Sequence, residues 1–266
     1  MSETSRFFDV KTGGEMQLRL RRHGDEFQIL RKFGYRDPGY VEPFIVPADP
    51  EHFRTDLASI PWVFAWLVPG LGTHLPAVLL HDALVVNGGK DHEGADIDRE
   101  EADRIFRDAM QNLGTPKLRR WLMWAAVILA TAWSALEPRW WWRTLIVVTF
   151  GSVVVLGTVA TFDLLDVWAL LPWMKERAWW VELIAGAAFA LIIPLGFSVL
   201  WRRLWRAAAI GGVALAFLLH VTAAVILVFG IYWLAEKVVS RREGTGPSVK
   251  RNLARQAASV SAPDTR

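Results

Sequence analysis

Phe53–Val85 reads FRTDLASIPWVFAWLVPGLGTHLPAVLLHDALV, and the part from Leu75 onward decides the fold. Ala77, Val78, Leu79, Leu80, Ala83, Leu84 and Val85 make that part apolar almost all round. A helix with no polar face belongs in the centre of a small domain. Thr73 or His74 before Pro76 suits a first helical turn, and Asn87-Gly88-Gly89 ends it after about Val86. His81 and Asp82 interrupt the apolar run. Burying an imidazole and a carboxylate side by side is costly unless each finds a partner. Two readings follow: a satisfied core pair, or a functional pair.

Upstream, the chain alternates apolar and basic residues in Met16–Arg21 and again in Phe27–Phe33, with His23-Gly24-Asp25 between. That pattern predicts a β-hairpin. Phe44–Val46, flanked by Pro43 and Pro47, predicts a short edge strand. In TDLASIP (Thr55–Pro61), Asp56 or Ser59 is placed to cap a short helix. Capping and turn hydrogen bonds are the plain explanation of both residues.

Downstream, Asp91–Asp96 is an acidic loop, and Asp98 then opens a helix with Glu101 at its third position, a capping box. Ala102, Ile105, Phe106, Ala109, Met110 and Leu113 form its apolar stripe. Asp103 sits next to that stripe. Gly114 ends this helix and Thr115-Pro116 begins another, which runs into the apolar Trp121–Leu136. About twenty apolar residues are needed to span a bilayer, so this segment is short and reads as a joint between domain and membrane.

Three longer apolar runs follow, in Trp140–Phe162, Ala178–Trp201 and Ala207–Ala235, the second with Pro194 as a kink. Of 15 Trp, 13 lie from Trp121 onward, many at the ends of these runs, as aromatic belts do. The 266 residues are 53% hydrophobic, and the excess falls in this second half. Net charge is +3, and Arg119, Arg120, Arg139, Arg143, Arg202, Arg203 and Arg206 flank the apolar runs. Such placement fits anionic headgroups and topology control, and argues against nucleic acid as a partner. With no Cys, disulfide scaffolds and Cys-ligated metals are excluded.

The expected architecture is α+β: a small antiparallel sheet packed with about four helices in residues 1–136. A bundle of three transmembrane helices follows in 137–237, then a disordered basic tail in 238–266. The polar start MSETSRFFDV predicts no cleaved signal peptide. The expected location is the bacterial inner membrane, as a multi-pass protein with its N-terminal domain in the cytoplasm. Three spans then place Arg202–Arg206 inside and Asp163–Arg177 outside, but leave the basic tail outside against the positive-inside rule.

The succession of short strands, TDLASIP, the Ala-Val-Leu-Leu-His-Asp helix and REEADRIFRDAM resembles the bacterial and phage-associated domain of unknown function 1353 family over about residues 10–136. The combination is specific, though no single piece is. The resemblance implies a phage or prophage context and does not imply an enzyme. Family members typically carry a Leu-Tyr pair after His-Asp; here Leu84 is followed by Val85.

Two functions compete. In the first, the chain is a membrane-tethered hydrolase, with Asp56, His81, Asp82 and Asp103 in a catalytic pocket. His74, His81 and Asp82 would be ligands for a divalent metal ion that generates the nucleophile. Ser59 is the candidate nucleophile of a weaker variant, since no elbow glycines flank it. In the second, the chain is a non-catalytic membrane module in phage–host interaction, lysis or exclusion, and the His-Asp pair is structural. The lipid bilayer is the expected partner in both, with self-association into an oligomer open.

Overall fold

The computed structural model describes residues 5–24, 26–55, 57, 72–85, 88–165, 167, 170–171 and 178–243. Its contacts divide the chain into two compact units, Met1–Leu219 and His220–Arg266. The described strands are β1 (Phe7–Asp9), β2 (Leu20–His23), β3 (Glu26–Ile29), β4 (Phe33–Tyr35) and β5 (Phe44–Val46). The helices are α1 (Leu75–Val85), α2 (Arg99–Asn112), α3 (Lys117–Ser134), α4 (Arg139–Leu164), α5 (Trp179–Ser198) and α6 (Trp205–Glu243).

The class is α+β, with two small antiparallel sheets where the sequence suggested one. Strands β2 and β3 form the hairpin, turning at Gly24, whose φ of 66° suits glycine. The second sheet has the order β1-β4-β5, so β5 does lie at an edge. The alternation in Phe27–Phe33 is divided between sheets: Ile29 closes the hairpin opposite Leu20, and Phe33 opens β4 opposite Asp9. Gly34 faces Phe8 across the sheet, and a Cβ there would lie 2.2 Å from the Phe8 ring. The ring thus covers the glycine, and Arg36 stacks on the ring 4.0 Å from its centre.

α1 is central, as its composition requires. All its residues are buried except Leu75, Asp82 and Val85, which are half-buried. Leu79 and Leu80 pack in one core with Phe33, Tyr35, Phe44, Ile105 and Met110 from the sheet and α2. Burying side chains of this size contributes about 1.5–3 kcal/mol each. α2 starts as the capping box predicts, with the Asp98 carboxylate accepting from the Glu101 backbone N–H at 2.8 Å. It ends at Gly114, whose φ is 70°. The further helix suggested around Ser59 lies outside the described residues.

α3 serves two cores. Met123 belongs to the first. Ala125, Ile128 and Ala132 belong to a second, with Leu145, Trp201, Leu204, Ala207 and Ala208. Trp201 is fully buried there, and its indole N–H donates to the Thr149 hydroxyl at 3.0 Å.

Two helical stretches are long and apolar enough to cross a bilayer: Arg139–Leu164, of mean hydropathy 2.3, and Trp179–Val239, of 2.5. This corrects the expected three. The second and third apolar runs join into one helical stretch, because Val199–Leu204 continues α5 into α6 as a 3-10 helix. The stretch is bent at Arg202, whose φ of 50° and ψ of −117° leave helical space. Beyond the bend, Gly212 meets Pro194, where an added Cβ would lie 2.8 Å from the proline Cβ. Small residues at such crossings let helix backbones approach closely. Val147, Val155, Leu183, Ile192, Leu227 and Ile231 are exposed on these stretches, an amount of bare apolar surface that marks an interaction with lipid or protein.

Candidate functional site

The strongest polar constellation is built on three helices. His81 is buried in the middle of α1, and its Nε2 lies 2.7 Å from Asp103 Oδ1 on α2. Asp103 is fully buried, and its other oxygen accepts from the Thr131 hydroxyl of α3 at 2.8 Å. Thr131 in turn accepts from Arg99 Nε at 3.2 Å. The chain Arg99–Thr131–Asp103–His81 thus joins α2, α3 and α1. Phe106, one turn beyond Asp103, sets its ring 4.9 Å from the imidazole and closes one side.

Asp103 is an acceptor on both oxygens, so Nε2 of His81 carries the proton in this hydrogen bond. In the neutral form of the imidazole the lone pair is then on Nδ1. Among the hydrogen bonds of His81, none joins Nδ1 to a described residue. Chemically this is a histidine oriented by a buried carboxylate.

Asp82 goes elsewhere. A helix turns about 100° per residue, so neighbours on α1 face different directions. The Asp82 carboxylate accepts from the Thr55 hydroxyl at 2.6 Å. The same hydroxyl accepts from the Leu57 backbone N–H at 3.0 Å. Leu57 has φ of 71°, uncommon for a residue with a branched side chain. Asp82 and Thr55 therefore pin the start of the TDLASIP segment in a strained conformation, a feature concentrated at functional sites.

The sequence-derived candidates separate accordingly. His81 and Asp103 are in direct contact, and Asp82 is bound to Thr55, next in the chain to Asp56. Asp56 and Ser59 lie outside the described residues. His74 is fully buried just before α1. The metal reading of His74, His81 and Asp82 is not supported: among the described residues no group of three or more metal-ligating side chains comes together. The described contacts instead engage His81 Nε2 and Asp82 Oδ2 in hydrogen bonds.

Sequence reasoning missed Thr131, Arg99 and Thr55. Thr131 carried a usable signal, as a hydroxyl within the apolar run Trp121–Leu136. A buried hydroxyl there requires a partner. Thr55 had none beyond its place in TDLASIP.

No curated protein and no solved structure matches the chain. One family model does. Residues 27–127, which hold β3 to β5, α1, α2, His81 and Asp103, match the family described as Protein of unknown function (DUF1353).

Proposed function

We propose that this is a multi-pass membrane protein whose α+β part carries a histidine–carboxylate acid–base centre, His81 with Asp103, beside its apolar helices. The observation that carries the reading is the full engagement of Asp103. With one oxygen on His81 and the other on Thr131, the carboxylate fixes the imidazole and leaves Nδ1 as the proton acceptor. A base of this kind would activate water or a hydroxyl, which is the hydrolase reading reduced to its acid–base core. Asp82 holds Thr55, whose hydroxyl also accepts from the Leu57 N–H.

A second reading has its own observation: the same chain of hydrogen bonds ties α1, α2 and α3 together. In that case the dyad is a clamp and the protein is a non-catalytic membrane module, as in phage–host interaction. Diethyl pyrocarbonate separates the two, because it acylates a histidine only when a ring nitrogen is accessible and unprotonated. The full-length protein in detergent should be modified at His81 at least as fast as at exposed His23, and Asp103→Asn should slow His81 alone. A His81 that stays unmodified while His23 reacts would rule out the base and leave the clamp.

A further inference from the structure

Packing gathers the arginines of the long apolar helices at one end. Trp142, near the start of α4, and Trp201, just before the bend, set their rings 6.1 Å apart. Leu145 and Leu204 share their core. Arg139 and Arg143 of α4 therefore lie at the same end as Arg202, Arg203 and Arg206 of the bend, and all five are exposed. Between Arg143 and Arg202 the described residues hold no Lys or Arg; Lys175 and Arg177 lie outside them. At the far end of α4 and the start of α5 the described charges are Asp163 and Glu182.

Two of the five arginines are matched within the protein. Arg139 pairs with Glu137 at 3.0 Å and Arg203 with Glu100 of α2 at 2.5 Å. Arg143, Arg202 and Arg206 form no ion pair among the described residues. Arg143 donates to the Trp133 carbonyl at 3.1 Å, and its guanidinium lies 5.3 Å from the centre of the Trp133 ring. The Arg206 guanidinium lies 5.6 Å from the Trp205 ring. Both indoles are exposed. An indole face attracts a guanidinium without using its N–H groups, so donors remain for an anion. The Arg202 side chain makes no hydrogen bond to a described residue, and its backbone, at φ 50° and ψ −117°, is in a region costly for any residue with a side chain. Strain of this kind concentrates where a ligand is clamped.

Apolar surface begins within a turn of these cations. Val147 follows Arg143 by four residues, Val199 and Leu200 precede Arg202, and all three are exposed. Unpaired arginines, exposed indoles and bare aliphatic side chains in that order match a bilayer boundary, where phosphates overlie acyl chains. A free phosphate or an acidic peptide would use the arginines and leave the aliphatic surface bare. We infer that this end seats anionic phospholipids, their headgroup phosphates on Arg143, Arg202 and Arg206 and their acyl chains against Val147, Val199 and Leu200. The inference rests on the membrane reading above and adds to it the class of lipid.

Native mass spectrometry of the full-length protein in detergent, titrated with phosphatidylglycerol or phosphatidylcholine, tests it. Both lipids carry a phosphate, but choline cancels its charge. Each arginine near an anionic surface strengthens association about fivefold, so phosphatidylglycerol should bind at least about tenfold more tightly than phosphatidylcholine. Arg202→Gln removes no contact of its side chain with a described residue. It should weaken phosphatidylglycerol about fivefold and leave phosphatidylcholine unchanged. Changing Arg143, Arg202 and Arg206 together to Gln should erase the preference, and Arg21→Gln on β2 should not alter it. Equal binding of the two lipids, or phosphatidylglycerol binding unchanged in Arg202→Gln, overturns the inference and leaves the membrane reading standing. Binding of neither lipid removes both.

Discussion

Thr131→Val tests how much of the helical framework depends on the buried dyad. Thr131 is 1% exposed, and valine has nearly its shape, so packing around α3 changes little. What changes is polar. The hydroxyl donates to Asp103 Oδ2 at 2.8 Å, and without it that oxygen is buried with no described donor. A lost hydrogen bond to a charged group costs about 1.5–3 kcal/mol. Arg99 also loses its acceptor, but it is only half-buried and water replaces the bond at small cost. A net loss of about 2 kcal/mol makes local opening about thirtyfold more frequent. Amide hydrogen exchange read by mass spectrometry on the full-length protein measures this directly. Peptides from Leu75–Val85 and Arg99–Asn112 should lose protection by that factor. Ser134→Ala, which removes an exposed hydroxyl bonded only to its own helix at Ala130, is the control and should leave both peptides unchanged. Equal protection in the two variants would mean that the dyad neither clamps the helices nor depends on Thr131.

Two further outcomes are expected. Asp9 is buried, and the Arg31 guanidinium, aided by the Thr12 backbone and hydroxyl, lowers its pKa from 3.8 to about 2. A depressed folded-state pKa gives stability that is present above the unfolded value and is lost as pH falls through the folded one. The melting temperature should therefore drop between about pH 4 and pH 2, and Asp9→Asn should flatten that drop; parallel curves would show that Asp9 is not the titrating group. Because Arg139–Leu164 and Trp179–Val239 expose apolar surface over most of their length, alkaline carbonate should leave the full-length protein in the membrane pellet, and recovery in the supernatant would remove the membrane reading.

The legible parts of the fold were those where a local rule and the tertiary environment agree. The all-apolar α1 had to be central, and it is. Asp98 with Glu101 named the start of α2, and Gly114 its end. The hairpin turn at Gly24 was readable from the same kind of signal. The strands were harder. Three or four residues are too few for alternation to say which sheet they join, so Phe27–Phe33 read as one strand although β3 and β4 belong to different sheets. β1 was not read, because Phe7–Asp9 is too short to show alternation, although Thr12-Gly13-Gly14 after it forms a turn closed by the Gly13 N–H on the Asp9 carbonyl at 2.8 Å. The apolar runs were legible as lipid-compatible sequence, but their connection was not. Three Arg in Arg202–Arg206 suggested a break in the helix, whereas the 3-10 turn carries the helical stretch through it with a bend.

The site shows the same limit in sharper form. Physical cost identified the residues that had to be accounted for, since an imidazole or carboxylate within apolar sequence must find a partner. Cost does not say which partner. His81 and Asp82 are adjacent in sequence, yet helical geometry sends one to Asp103 and Thr131 and the other to Thr55. Of the residues the sequence reading gathered into one pocket, His81 meets Asp103 and Asp82 meets Thr55, while Asp56 lies outside the described residues. Pairing across elements is a property of packing: Asp103 reaches His81 because the Ala102, Ile105, Phe106 and Ala109 stripe of α2 buries itself against α1.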